Sequence, residues 1–153
     1  RNTPQRYAKF LVDFCNPDLF TWTTFDAETK EMIVQRGIPF YSLCEHHVLP
    51  FFGMAFVGYI PRDRQVGLSK LARAVKYFAA GLQNQERITR NIADAITKEL
   101  NPLGVGVVLK ARHLCMEMRG VQVHDTWTNT AELRGVFATE PACKQEFLGY
   151  CNE

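Results

Sequence analysis

Long apolar runs are missing from this 153-residue sequence, so none of its segments is suited to span a bilayer. A large charge of one sign is missing too. The formal net charge is +2, which gives no reason to expect a nucleic acid or an anionic membrane as partner. Repeats, low-complexity tracts and linkers are also missing. Because 46% of the residues are hydrophobic, the chain can bury a core, and we predict a single globular domain over residues 1–153.

The start of the sequence and its cysteines bear on the compartment. Residues 1–6 do not resemble a signal peptide, and the sequence opens without an initiator Met, so we expect an N-terminal extension to be absent from it. The cysteines are an odd, unevenly spaced set: Cys15, Cys44, Cys115, Cys143 and Cys151. This pattern argues against a disulfide framework and for a reducing, cytoplasmic setting. We interpret Cys15, Cys143 and Cys151 as buried or isolated thiols.

Helical periodicity predicts four helices. Thr3 is suited to be the N-cap of the first, with Pro4 in its first turn, and that helix ends near residues 16–17. The next two have apolar stripes at Leu68, Leu71, Val75, Phe78 and Leu82, and at Ile88, Ile92, Ile96 and Leu100. A short connection makes these two an antiparallel hairpin. A C-terminal helix is predicted over 141–150.

Strands are predicted at 32–34, 54–60, 105–118 and 134–137, and an irregular loop at 20–30. Residues 38–43 lead into the segment that contains Cys44. In the strand over 105–118, period two places His113 and Cys115 on one face. Antiparallel strands with a helical hairpin between them indicate an α+β fold.

Two short segments bring metal-ligand residue types together. Cys44 and His47 lie three residues apart, and His113 and Cys115 lie far downstream. We predict a zinc site made of Cys44, His47 and Cys115, with His46 and His113 unbound beside it. Three protein ligands leave the fourth tetrahedral position open for water, as in catalytic zinc sites.

The same residues permit two plainer interpretations. The two cysteines could be core thiols beside hydrogen-bonded histidines, because a C-x-x-H pair alone is a weak signal. A structural zinc is also possible, but it normally needs a fourth ligand, for which only His46, His113 or the remote His124 are available.

A basic helix start follows at residues 67–73. Ser69 and Lys70 open the helix and Arg73 lies one turn on, so free backbone N–H groups and two cations could hold a phosphate. Spacing alone favours an exposed basic face. Arg119, Arg6 and Lys9 are each solvated charges when taken singly. Together with Lys70 and Arg73 they give five cations that could meet a polyphosphate, not necessarily within one subunit.

Gln85 and Glu86 open the next helix. A carboxylate at that point could interact with the helix dipole, or it could bind a planar N–H edge such as that of guanine. Sequence physics does not choose between these two roles.

Six segments of the sequence resemble the GTP cyclohydrolase I family. They are TPQRYAK at 3–9, SLCEHHVLPFFG at 42–53, YIP at 59–61, GLSKLAR at 67–73, QNQERIT at 83–89 and ARHLCMEMRGV at 111–121. The resemblance implies the tunnelling fold, in which an antiparallel sheet carries a pair of antiparallel helices on one face, together with an N-terminal helix. It also implies a homo-oligomer of two stacked pentameric rings, a decamer with active sites between subunits.

The resemblance further implies a reaction, the conversion of GTP and water into 7,8-dihydroneopterin triphosphate and formate, with attack at guanine C8. This is the first step of pterin and folate-type biosynthesis. By residue, it implies zinc on Cys44, His47 and Cys115; catalytic roles for His46, His113 and Ser69; guanine binding by Glu86 with Gln85; and triphosphate binding by Lys70, Arg73, Arg119 and, from a neighbouring chain, Arg6 and Lys9.

One stretch departs from the family pattern. The family has a Ser/Thr-rich run before a Gly-x-Phe strand, whereas residues 123–134 contain Trp127, Asn129 and Glu132. This puts local strand pairing, substrate access and ring contacts in doubt, but not the predicted ligands.

Two alternatives to the cyclohydrolase remain. One is a relative of the nitrile reductase of 7-deazaguanine synthesis, which needs a nucleophilic thiol without a metal triad. The other is a catalytically silent nucleotide-binding protein with a structural zinc.

Overall fold

The computed structural model describes residues 2–152 as an α+β fold. The strands are β1 (Thr24–Asp26), β2 (Ile33–Cys44), β3 (Pro50–Ile60), β4 (Arg64–Val66), β5 (Leu82–Gln83), β6 (Gly104–His113) and β7 (Thr128–Gly135). The helices are α1 (Thr3–Cys15), α2 (Leu68–Ala79), α3 (Gln85–Leu100), α4 (Leu114–Glu117), α5 (Val136–Thr139) and α6 (Pro141–Asn152). Among residues 2–152, no helix is both long and apolar enough to cross a membrane.

The main sheet has the order β5-β2-β3-β6-β7 and is antiparallel except for β5, which runs parallel to β2. β1 and β4 form a separate two-stranded sheet, so the predicted loop at 20–30 contains a short strand. β2 is longer than the strand predicted at 32–34, because it also includes residues 38–43, for which no strand was predicted. A register shift between Gln35 and Ile38, with Gly37 at a φ of +68°, interrupts the alternation there.

Both faces of the sheet are covered by helices. The hairpin of α2 and α3 packs the predicted stripes, among them Leu71 and Ile92, on one face. On the other face, Phe137 of α5 and Phe147 of α6 pack against the sheet. The ring of Phe147 lies so close to Gly106 that a Cβ built there would be 2.6 Å from it. The helical hairpin is therefore as predicted, except that α2 ends at Ala79 and Leu82 belongs to β5.

The predicted strand over 105–118 is too long. β6 ends at His113, which pairs with Phe51 of β3. The residue before Phe51 is Pro50, where β3 begins. Pro50 has no N–H with which to continue the ladder, and the chain turns into the single helical turn α4. The period-two argument placed His113 and Cys115 on one strand face. That prediction was wrong, because Cys115 lies in α4 and not in β6.

The last strand was also misplaced. The sequence predicted 134–137, but β7 pairs with β6 from Thr128 to Gly135. Gly135 has a φ of +58° and is the N-cap of α5, so the apolar pair Val136 and Phe137 is helical. The prediction followed the apolar residues, whereas β7 itself is largely polar. The divergent stretch thus pairs regularly from Thr128 onward.

Helix α1 begins one residue earlier than predicted. Asn2 occupies the N-cap without a side-chain cap bond, and Thr3 is already helical. None of the residues of α1 is buried in the described chain, and Tyr7 and Phe10 of its apolar stripe are exposed. The C-terminal helix α6 lies as predicted, two residues longer.

Candidate active site

The three predicted metal ligands converge. Cys44 ends β2, and the following turn is closed by a hydrogen bond from the Val48 N–H to the Cys44 carbonyl at 2.8 Å, with Val48 at a φ of 53°. This turn returns His47 so that its Nδ1 lies 3.5 Å from Cys44 Sγ. Cys115 comes from α4, and one ligand atom from each of the three residues lies within 4.8 Å of the others.

This donor set suits zinc. Two thiolates and an imidazole are donors that zinc prefers, with bonds of about 2.0–2.3 Å. The pKa of the Cys115 thiol is raised first by burial and then by the neighbouring Cys44. A bound cation would reverse that preference, because it favours the thiolate. The group can therefore hold a metal ion.

The two remaining histidines of the site differ in environment. His46 is exposed, with its Nδ1 3.7 Å from Cys44 Sγ. His113 is half-buried, and its ring stacks on Phe51 with centroids 4.6 Å apart and planes 4° apart. Burial lowers the pKa of His113, while the charge of Glu86 acts in the opposite direction. The environment of His113 therefore favours its neutral imidazole.

Gln85 holds His113 in place. Its buried amide Nε2 donates to the carbonyls of Leu109 at 3.1 Å and Thr128 at 2.9 Å. Its Oε1, which lies 2.8 Å from His113 Nε2, must therefore be the acceptor. This makes His113 Nε2 the protonated nitrogen and leaves Nδ1 as the acceptor. Both Nε2 and Oε1 of Gln85 are thus hydrogen-bonded within its own chain.

Glu45 attaches the metal turn to the start of α3. Its carboxylate accepts from Arg87 Nη2 at 2.6 Å and from Asn84 Nδ2 at 3.0 Å. The hydrogen bond from Arg87 is the main reason that the pKa of Glu45 is lowered. Asn84 also caps α3 by accepting from the Arg87 N–H. Sequence reasoning missed this pair, although a carboxylate between two metal-ligand residues was a usable signal.

A cavity of about 270 Å³ contains these groups. Its lining includes the three metal-ligand residues, both spare histidines, Gln85 and Glu86. Phe51, Met116 and Thr128 also line it and were not predicted. A larger groove of about 450 Å³ lies against Trp22 and Phe78 but contains none of the predicted residues. The smaller cavity is therefore identified as the candidate site by the residues that line it and not by its volume.

Of the cations predicted to bind the triphosphate, Arg119 lies beside a predicted metal ligand and the others do not line the cavity. Arg119 Nη1 lies 3.2 Å from His47 Nε2, so its guanidinium is at the site. None of Ser69, Lys70, Arg73, Arg6 and Lys9 is among the residues of 2–152 that line the cavity. Lys9 instead pairs with Asp13 at 2.7 Å on the exposed surface of α1. One chain alone does not bring these residues together.

Comparisons with known proteins identify relatives of this chain. The family described as GTP cyclohydrolase I matches residues 1–152. A GTP cyclohydrolase 1 of Hydrogenobaculum sp. (strain Y04AAS1) is 48% identical over 150 residues, covering 97% of this chain and 82% of the relative. One of Synechococcus sp. (strain JA-3-3Ab) is 48% identical, covering 97% and 67%. One of Campylobacter jejuni (strain RM1221) is 47% identical, covering 95% and 74%.

A solved structure resembles the fold. The apo crystal structure of an archaeosine synthase QueF-Like protein superposes with a TM-score of 0.58 at 15% identity, over 71% of this chain and 97% of that one. At this identity the likeness concerns the fold alone. It confirms the α+β tunnelling fold expected from the sequence.

Proposed function

The chain belongs to the GTP cyclohydrolase I family, and from that premise we propose that it hydrolyses GTP at guanine C8 and rearranges the product to 7,8-dihydroneopterin triphosphate, with release of formate. The convergence of Cys44, His47 and Cys115 beside His113 in one cavity carries this proposal. The reaction would be the first step of pterin and folate-type biosynthesis, in the cytoplasm.

Zinc is the metal that we assign to Cys44, His47 and Cys115, because the donor set fits it. When bound, zinc supplies Lewis-acid activation of water near neutral pH. Glu45, held by Arg87 and Asn84, keeps the Cys44–His47 turn against α3 so that two of the three ligands are preorganised.

His113 and His46 are the proposed proton-transfer groups. The ring of His113 is held by Phe51 and by Gln85, and its lowered pKa favours the neutral ring, whose Nδ1 can accept a proton. His46, exposed beside Cys44, can exchange protons with solvent. We assign the guanine ring to the side of the cavity that carries Glu86, whose carboxylate can accept from a guanine N–H edge.

The triphosphate would lie against cations from more than one chain. Arg119 stands at the metal group, and the start of α2 supplies Ser69, Lys70 and Arg73. Arg6 and Lys9 lie on α1, none of whose residues is buried in the described chain. Packing of α1 against a neighbouring chain would deliver them to that chain's site. The exposure of α1 supports contact between chains, which the proposed decamer of two pentameric rings requires.

Two histidine variants test the assignment. We expect His113→Ala to bind zinc and to lose at least about 100-fold in GTP turnover, because general acid–base catalysis contributes about 10²–10⁴-fold. His124→Ala is the matched control, since His124 is exposed and does not line the cavity. Zinc content and formate release are measured for both. Full turnover by zinc-loaded His113→Ala would contradict the role of His113. Zinc binding without turnover by the unaltered chain would instead favour the silent nucleotide-binding protein.

A further inference from the structure

The ligand Cys115 is on the least extensive helix of the site. β6 ends at His113, and α4 has only four residues. Its closing hydrogen bond runs from the Met118 N–H to the Leu114 carbonyl at 3.0 Å. A single helical turn has little stability of its own, because nucleation costs more than one hydrogen bond returns. The position of Cys115 therefore depends on tertiary contacts.

A bidentate ion pair between Arg112 and Glu117 is one of these contacts. Arg112 Nε donates to Glu117 Oε1 and Arg112 Nη2 donates to Glu117 Oε2, both at 2.7 Å. Arg112 is the second-last residue of β6, and Glu117 is the last residue of α4. This bidentate ion pair, the Arg112–Glu117 fork, thus joins the two ends of the segment that carries His113 and Cys115. The Glu117 side chain is 7% exposed, so its charge depends on Arg112 for compensation.

The fork acts from behind the site. Successive residues of a strand point to opposite faces, so Arg112 projects away from the face on which His113 meets Phe51. Neither Arg112 nor Glu117 lines the cavity. Arg112 Nη2 also lies 3.4 Å from Asp125 Oδ1, and the Val123 N–H donates to the Met116 carbonyl at 3.0 Å. The start of the divergent stretch, residues 123–125, is therefore bonded to Arg112 and to Met116 of α4.

We propose that Arg112 and Glu117 are positioning residues for the metal centre: their fork fixes α4, so that Cys115 Sγ is held ready within reach of Cys44 and His47. This rests on the proposed zinc site. Neither residue needs to touch zinc or GTP. Loss of the fork leaves the ligands present but lets α4 move, so that zinc binding must include the cost of ordering it.

Conservative variants test the pair as a unit. Arg112→Lys keeps the charge but cannot form the fork, and Glu117→Gln keeps the shape but not the charge. We expect each to weaken zinc binding roughly tenfold or more, as measured by competition with a chromophoric chelator. The double variant should bind zinc with about the same affinity as the single variant that binds zinc less tightly, because each single substitution already removes the interaction between Arg112 and Glu117. Arg64→Lys is the matched control and should bind zinc normally, because Arg64 of β4 forms an exposed pair with Asp26 of β1.

Thermal unfolding of the zinc-free variants separates loss of position from loss of fold. Single variants that fold and bind zinc within about twofold of the unaltered chain would overturn the proposal, and so would losses that add in the double variant. An unaltered chain that binds no zinc would overturn the proposed function as well. That result is distinct from failure of the fork alone.

Discussion

At the scale of single residues, the clearest consequence concerns Gln85, which the resemblance implies to be a substrate ligand. Its amide is bonded to two carbonyls and to His113 within the chain. We predict that Gln85→Leu lowers the turnover of GTP roughly tenfold or more, because His113 loses its orienting partner. The substitution also leaves the Leu109 and Thr128 carbonyls without this donor, which costs about 1–3 kcal/mol for a buried group.

Imidazole nitrogen NMR gives the matching readout. In the unaltered protein His113 should show a protonated Nε2 and a free Nδ1, whereas Gln85→Leu should show a mixture of the two tautomers. Gln65→Leu, on β4 away from the cavity, is the control. An unchanged tautomer together with unchanged turnover in Gln85→Leu would mean that Gln85 does not orient His113.

Cys151 gives a second prediction at this scale. Burial raises its pKa to about 11, although the charge of Lys110 acts in the opposite direction. At pH 8 only about one thiol in a thousand is then the reactive thiolate. A thiol reagent should modify Cys15, which is exposed, long before Cys151. Peptide mass mapping of native and urea-unfolded protein measures this, and equal labelling of both cysteines in the native protein would contradict it.

At the scale of elements, periodicity predicted those that are defined by apolar patterns. The stripes of α2 and α3 each face a buried sheet, so their spacing predicts both helices. The end of β6 could not be predicted from its own residues, because it depends on Pro50 of the paired strand. Cys115 still reaches Cys44 and His47 from α4, so the three predicted ligands lie together although the strand predicted for Cys115 was wrong.

Contact between α6 and the sheet gives a prediction about stability. A Cβ at Gly106 would meet the Phe147 ring at 2.6 Å, whereas one at Gly149 of α6 would meet nothing within 4 Å. Gly106→Ala should destabilise the fold by about 1–3 kcal/mol through overpacking. Gly149→Ala, as control, should be neutral or stabilising by up to about 1 kcal/mol, because Ala favours helices. Urea unfolding compares them, and equal stability of the two variants would contradict the packing of α6.

At the scale of the whole molecule, the residues proposed to hold zinc lie together in one chain, whereas most of those proposed to bind the triphosphate do not line its cavity. Cys44, His47 and Cys115, which short motifs predicted to act together, do lie side by side in one chain, and Arg119 lies beside His47. The cations of α1 and α2 do not line that chain's cavity. No pattern within one chain defines where a neighbouring chain lies, so their assembly remains a prediction from the family.

The most direct measurement is the release of formate from GTP by zinc-loaded protein, beside a chelated sample and a chelated sample given zinc again. The account predicts formate that depends on zinc, with one fluorescent pterin per formate after oxidation. It also predicts recovery when zinc is restored, because a catalytic metal can leave without unfolding the chain. Zinc-loaded, folded protein that releases no formate would contradict the account.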